Sequence, residues 1–398
     1  MYRLSTLLSA VLVLGAFSTC LAGAKAPSPS SSERLVKGNS SFAVHMYNQL
    51  GATDGNLFFS PYSISSALGM TYAGARGNTA REMEAVLHFS LDHAELNPAF
   101  KNLNRELAAS ARKTGQKLNI ANGLVLTGGN VSAQYKAILK KYYDAEIFPG
   151  GLAEINGWVK RKTEGKIDRI LEQLSPNSVC VLLNAIYFKG VWESQFKKSA
   201  TTDAPFNVSA DRQVTVPLMY QHGSFRFMAG EGFQAVSLPY KGNNLSMVVV
   251  LPNAADGLPA LEKKMTDQSI SEWLTGLDRQ QPQKVYLYLP KFKLETGYDL
   301  AAPCEKLGMK DAFTIGRADF RGMGWPVGDL WISQIKHKAV VEVNEEGTEA
   351  AAVTAVEMAT KSVRQDPVFR ADHPFLFLVR DNRSGAILFM GRMVNPGA

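Results

Sequence analysis

From Val179 to Phe188 the chain reads Val179-Cys180-Val181-Leu182-Leu183-Asn184-Ala185-Ile186-Tyr187-Phe188, ten residues without a charge. A strand with one wet face alternates polar and apolar side chains, whereas an unbroken apolar run is the pattern of a central strand covered on both faces. The rest of the chain must supply that cover. Helical signals crowd the first half. Ser60-Pro61 offers a cap followed by proline at the first helical position, and Thr79-Ala80-Arg81-Glu82 is a capping box ahead of Met83, Val86 and Leu87. Tyr135, Ile138, Leu139 and Tyr142 stand on one helical stripe. Strand candidates follow at Met247 to Leu251, Val285 to Leu294, Phe375 to Val379 and Ile387 to Met390, the last two joined by the turn signal Asp381-Asn382-Arg383-Ser384-Gly385. The class is mixed α+β, helices first and sheets later.

Composition narrows the function. An apolar fraction of 45% excludes a disordered tail protein, and three cysteines in 398 residues exclude a small disulfide scaffold. The net charge of +7 is mild, and no block of five like charges occurs; Lys140-Lys141 and Lys160-Arg161-Lys162 are the densest patches. This is an ordinary basic surface, with no nucleic-acid partner expected. Length alone suggests about two or three domains, but no repeat and no Pro/Gly/Ser linker after residue 32 marks a boundary. One domain over 35–398 is expected. Residues 1–24 carry Arg3, an apolar run from Leu7 to Phe17 and the small-x-small site Ala22-Gly23-Ala24, the pattern of a secretory signal peptide. Export follows, with a flexible segment over 25–34. The alternative makes Cys20 a lipid-modified N-terminus, although Phe17-Ser18-Thr19-Cys20 departs from the usual Leu-rich box. No later segment approaches the roughly 18 apolar residues of a membrane span. Cys180 and Cys304 read as two buried small hydrophobes, a disulfide between them being the alternative. Sequons at Asn39, Asn130, Asn207, Asn244 and Asn382 matter only in a host that glycosylates.

An exported protein of this size could be a hydrolase, but the spacings that hydrolytic chemistry needs are missing. There is no Gly-x-Ser-x-Gly elbow, no His-Glu-x-x-His pair and no phosphate cradle. His88 and His93 lie close, yet their i, i+5 spacing turns the rings roughly 140° apart on a helix. No metal and no cofactor is implied.

The informative stretch is Glu345-Glu346-Gly347-Thr348-Glu349-Ala350-Ala351-Ala352-Val353-Thr354-Ala355-Val356-Glu357-Met358-Ala359-Thr360-Lys361-Ser362. Its Ala, Glu and Met suit a surface helix, but no amphipathic stripe develops from Gly347. With period two, one face carries Thr348, Ala350, Ala352, Thr354 and Val356, all small and uncharged, while Glu349 and Glu357 fall on the other. Such a segment can be a solvated loop and can also slot one face into a packed core as a strand.

Six blocks in order resemble the serpin family over nearly all of the chain after the leader. They are Asn56-Leu57-Phe58-Phe59-Ser60-Pro61-Tyr62-Ser63-Ile64, Gly74-Ala75-Arg76-Gly77-Asn78-Thr79, Leu183-Asn184-Ala185-Ile186-Tyr187-Phe188-Lys189-Gly190-Val191-Trp192, Val343-Asn344-Glu345-Glu346-Gly347-Thr348-Glu349-Ala350-Ala351, Ala371-Asp372-His373-Pro374-Phe375 and Phe389-Met390-Gly391-Arg392. The resemblance implies the serpin fold, with about nine helices, three β-sheets and an exposed reactive loop over about 347–369. It implies a suicide inhibitor of serine proteases: the loop is cleaved as a substrate, and its N-terminal part inserts into the main sheet before the acyl-enzyme is hydrolysed. Insertion would drag the enzyme roughly 45 Å, about 14 residues at 3.3 Å each, and distort its oxyanion hole. Family geometry places the scissile bond about fourteen residues after the hinge glycine, at Lys361-Ser362, with Thr360 and Arg364 as alternatives. A lysine there suits the acidic pocket of a trypsin-like enzyme.

The resemblance also assigns Ser60, Ser63, Asn184 and His337 to a polar cluster controlling sheet opening, and Trp192, Lys291 and Glu345 to the place where the loop first enters. The hinge Gly347-Thr348-Glu349-Ala350-Ala351-Ala352, after Glu345, has no proline, no bulky residue and no inward charge. That favours an inhibitor over a non-inhibitory carrier, chaperone or storage protein, and a monomer is expected. A further alternative is modulation by a sulfated polysaccharide at Lys101, Arg105, Arg112, Lys113 and Lys117, a patch that Glu106 interrupts.

Overall fold

The computed structural model describes residues 28–174, 178–347 and 365–397. The proposed leader, Cys20, the hinge residues Thr348 to Ala352 and the bond Lys361-Ser362, with its alternatives Thr360 and Arg364, lie outside the described residues.

The helices are α1 (Ser31–Leu50), α2 (Pro61–Tyr72), α3 (Gly77–Leu87), α4 (His93–Thr114), α5 (Ala133–Tyr142), α6 (Leu152–Lys162), α7 (Leu258–Lys263), α8 (Asp267–Asp278) and α9 (Ala301–Leu307). The strands are β1 (Leu57–Phe59), β2 (Lys117–Leu126), β3 (Glu146–Pro149), β4 (Cys180–Lys189), β5 (Thr202–Ser209), β6 (Arg212–Gly230) and β7 (Phe233–Pro239). They continue with β8 (Leu245–Pro252), β9 (Gln283–Pro290), β10 (Phe292–Asp299), β11 (Ile332–Val343), β12 (Val368–Arg370), β13 (Phe375–Asp381) and β14 (Ile387–Met393).

The uncharged run becomes β4, the middle strand of a five-stranded sheet ordered β10-β11-β4-β2-β3. Its two faces go to different cores. Leu182, Ile186 and Phe188 join the main apolar cluster, while Val181, Leu183, Ala185 and Tyr187 pack with Ile155, Trp158 and Val159 of α6. That double cover is why no polar alternation appears. β4 runs antiparallel to β2 and parallel to β11. The 19-residue β6 links the other two sheets, because its first part pairs with β5 and β9 and its end with β7. β12 extends one of these beyond β9, and β8, β13, β14 and β1 extend the other. Three sheets and nine α-helices among the described residues make the α+β serpin architecture.

Four local readings change. α1 begins at Ser31, so the segment read as flexible is helical over 31–34; Ser30 and Glu33 form a reciprocal capping box that local inspection of the serine run passed over. Thr79 and Glu82 do not cap a helix, because α3 starts at Gly77. Their side chains serve a distant segment instead: Thr79 accepts from the Asp319 amide, and Glu82 from the amides of Lys310 and Asp311. The strand expected over 285–294 is two strands in two sheets, broken after Pro290, which brings no amide donor to a ladder. The loop expected to reach Phe369 is already strand at Val368, because Phe369 is fully buried. Cys180 and Cys304 are both buried free thiols.

Candidate functional site

Two polar clusters lie along the boundary between β4 and β11. The lower one rests on α2, whose N-terminus is set by Ser60: its hydroxyl accepts from the Ser63 amide, with Pro61 at the first helical position. The Ser60 amide donates to His337 Nε2 at 3.1 Å, which leaves the proton on Nδ1, 2.5 Å from Asn184 Oδ1. Asn184 Nδ2 reaches the Ser63 hydroxyl at 2.5 Å, the Ser63 carbonyl at 3.0 Å and Asn122 Oδ1 at 2.7 Å. Register explains the assembly. Asn122, Asn184, His337 and Tyr298 face one another in a single row across β2, β4, β11 and β10. All four residues assigned from the resemblance meet here. Asn122, Ser66, which accepts from Asn122, and Tyr298 complete the row and were missed; an asparagine inside the apolar β2 was the available signal. Burial holds the His337 imidazole down at about 3, against the pull of its bond with Asn184.

The upper cluster sits where the β4–β11 ladder stops. Pairing ends at Val340 and Tyr187, although β11 continues to Val343 and β4 to Lys189. Beyond that point Asn344 to Gly347 fold back against residues 190–196. Trp192 donates its ring N–H to the Asn344 carbonyl at 3.0 Å and its amide to the Glu346 carbonyl at 3.2 Å. Its indole stacks on Tyr240 with centroids 4.5 Å apart. Glu345 is buried, and its carboxylate takes Lys291 at 2.9 Å and the Thr201 hydroxyl at 2.8 Å. Burial would raise that carboxyl, but Lys291 and Thr201 outweigh it and hold it below its usual range. Gly347 has φ +89°, and a Cβ there would lie 2.4 Å from the Trp192 nitrogen and 2.7 Å from the Gly190 carbonyl oxygen. Only glycine fits this turn.

The basic residues are divided. Lys101 and Arg105 share a groove of about 720 Å³ with Lys140, Lys141, Arg161 and Lys162. Arg112 and Lys113 stand outside its lining, and Lys117 is paired with Glu164 at 2.6 Å. His88 stacks on His45 and His93 on Tyr72. Among the described residues no three potential ligands are grouped for a metal, and no helix is long and apolar enough to cross a membrane.

The family model described as "Serpin (serine protease inhibitor)" matches residues 37–396. The chain belongs to the serpin family. Serpin B6 of Macaca fascicularis is 40% identical over 91% of this serpin and 99% of its own length. The leukocyte elastase inhibitor of Equus caballus is 39% identical over 92% of this serpin and all of its own chain. Tengpin, a thermophilic serpin solved in its native state, superposes with a TM-score of 0.83 at 28% identity, covering 91% of this chain and 94% of that one. By family this serpin is a serine protease inhibitor and not an enzyme.

Proposed function

We propose that this serpin inhibits trypsin-like serine proteases by presenting Lys361-Ser362 for cleavage and then inserting the segment after Gly347 between β4 and β11. The observation that carries this reading is the fold-back of Asn344 to Gly347 at the point where the β4–β11 ladder ends. The segment proposed to insert starts at the open end of the parallel β4–β11 pair, beside the cluster of Trp192, Lys291 and Glu345. The five small side chains on one face of that segment, Thr348, Ala350, Ala352, Thr354 and Val356, would meet little steric resistance as they enter.

Mixing the protein with trypsin and running a denaturing gel tests the proposal. A covalent complex, with mass spectrometry placing the cut after Lys361, is the expected result; a cleaved band alone supports the carrier, chaperone or storage reading. Residues 1–24 are proposed to direct export of a monomer, with anchoring through Cys20 as the alternative. The N-terminal sequence and mass of the mature protein separate the two.

A second reading concerns the groove between α4, α5 and α6. Six cations from three helices line it, and the Lys141 ammonium stands 4.8 Å from the Tyr142 ring centroid. A sulfated polysaccharide is the ligand such a groove would take. Salt-dependent retention on a sulfated matrix, lost in Lys140→Ala/Lys141→Ala, is expected; retention unchanged in that variant would remove the reading.

A further inference from the structure

The described chain resumes at Gln365, and its attachment to the neighbouring sheet there is slender. β12 has three residues and lies at the edge of its sheet, parallel to β9. Val368 is 52% exposed, so burial at this root rests on Phe369. Pro367 brings no amide donor; its carbonyl accepts from the Tyr286 amide at 2.9 Å. Among the described residues, the first side-chain tie is one residue earlier. Asp366 Oδ2 lies 2.8 Å from His222 Nε2. His222, on β6, is held in turn by stacking on Tyr286, its register partner on β9, with centroids 4.3 Å apart and planes within 13°. Tyr286 therefore grips the root twice, through its own amide and through the imidazole that it supports.

We infer that His222 is a positioning residue for the reactive loop, fixing with Asp366 the direction in which the chain leaves the body on the leaving-group side of the scissile bond. The inference rests on the reading that places this bond at Lys361-Ser362. Asp366 stands five positions after Lys361, no more than about 18 Å of extended chain, so a change of angle at the root would displace the bond by ångströms. A misplacement of about 1 Å can cost up to a hundredfold in rate. The pair is exposed on both sides, 35% and 37%, and an exposed side-chain tie contributes little to global stability. Its effect belongs in kinetics.

The test uses the full chain as His222→Ala, Asp366→Ala and the double variant, with trypsin as probe. Three quantities are read: the second-order rate constant for cleavage at 361–362, amide exchange over Val368–Arg370, and the thermal midpoint. Each single variant should lose about three- to tenfold in rate, mainly through KM, and the double should lose no more than either. Exchange over Val368–Arg370 should quicken while the midpoint stays put. His222→Gln, whose amide can still donate to Asp366, should recover most of the rate. Unchanged rates, or losses that multiply in the double variant, overturn the inference. If trypsin cleaves without covalent trapping, the inhibitory reading fails while the rate cycle still decides the role of His222. If trypsin cuts elsewhere, the placement of the bond at 361–362 is wrong and the inference falls with it.

Discussion

His337 of β11 and Asn184 of β4 are bonded directly across the boundary between their strands, Nδ1 to Oδ1 at 2.5 Å. Both are buried, and each is also tied to α2 beneath the sheet, His337 to the Ser60 amide and Asn184 to Ser63. Parting β4 from β11 must break this bond as well as the ladder, so the cluster adds to the barrier against spontaneous opening.

Acid should weaken the lock in a defined window. The imidazole titrates at 6.5 when exposed and at about 3 in the fold, because its charged form is buried. Between those values the unfolded chain binds more protons than the folded one. The contribution of His337 is therefore full above about pH 6.5 and is lost as pH falls toward 3, by up to roughly 5 kcal/mol. Thermal midpoints from pH 8 to pH 4 should fall more steeply for the natural protein than for His337→Gln, which cannot titrate; parallel curves would refute the assignment.

Asn122 should behave as a member of the same network. Asn122→Ala removes the acceptor for Asn184 and the donor to Ser66, at a cost of about 1–3 kcal/mol. Asn184→Ala leaves the His337 N–H, the Ser63 hydroxyl and Asn122 short of a partner, and should cost more, about 3–5 kcal/mol. Urea unfolding of both variants and the double measures this. The double should be clearly less destabilised than the sum, and strict additivity would show that the contacts do not act together.

What could be read from the sequence followed the range of the interactions. The Ser60-Pro61 start of α2 was legible because cap and proline act within one turn, and β4 was legible because its double cover leaves a continuous apolar trace. Thr79 and Glu82 have the right local spacing for a cap, but their partners lie more than 200 residues away and no local rule can see them. The row from Asn122 to Tyr298 depends on the register of four strands that the chain visits in scattered order. Resemblance supplied Ser60, Ser63, Asn184 and His337. Geometry alone added Asn122, Ser66 and Tyr298, and with them Thr201 and Tyr240 at the mouth of the sheet.

The Lys291–Glu345 pair should be worth far more broken than removed. Glu345 is 6% exposed at its side chain and Lys291 37%, so Lys291→Met leaves a buried carboxylate with the Thr201 hydroxyl as its remaining side-chain donor. A loss of about 2–4 kcal/mol is expected, with Lys291→Met/Glu345→Gln recovering at least half of it. The carboxyl is held below its usual range, so this pair contributes above about pH 4.5 and fades as pH falls below it. Denaturant midpoints at pH 7 and pH 4 test both statements: the Lys291→Met deficit should shrink at the lower pH, and a constant deficit would contradict the ionic account.

Gly347 should tolerate no side chain. Alanine would be strained at φ +89°, and its Cβ would meet main-chain atoms of Gly190 and Trp192, which cannot swing aside as a flexible side chain could. The fold-back must therefore open, releasing the Trp192 bonds to Asn344 and Glu346. The cost is about 1–3 kcal/mol, of the kind paid for a left-handed residue forced into a crowded turn. Two measurements separate this from general damage. Trp192 fluorescence should shift as its ring loses the Asn344 bond, and, on the proposed insertion mechanism, the ratio of cleaved to covalently trapped product with trypsin should rise several-fold, because the segment to be inserted would no longer start at the open end of the β4–β11 pair. Gly347→Ala with unchanged fluorescence and an unchanged product ratio would show that the turn at Gly347 has no part in insertion.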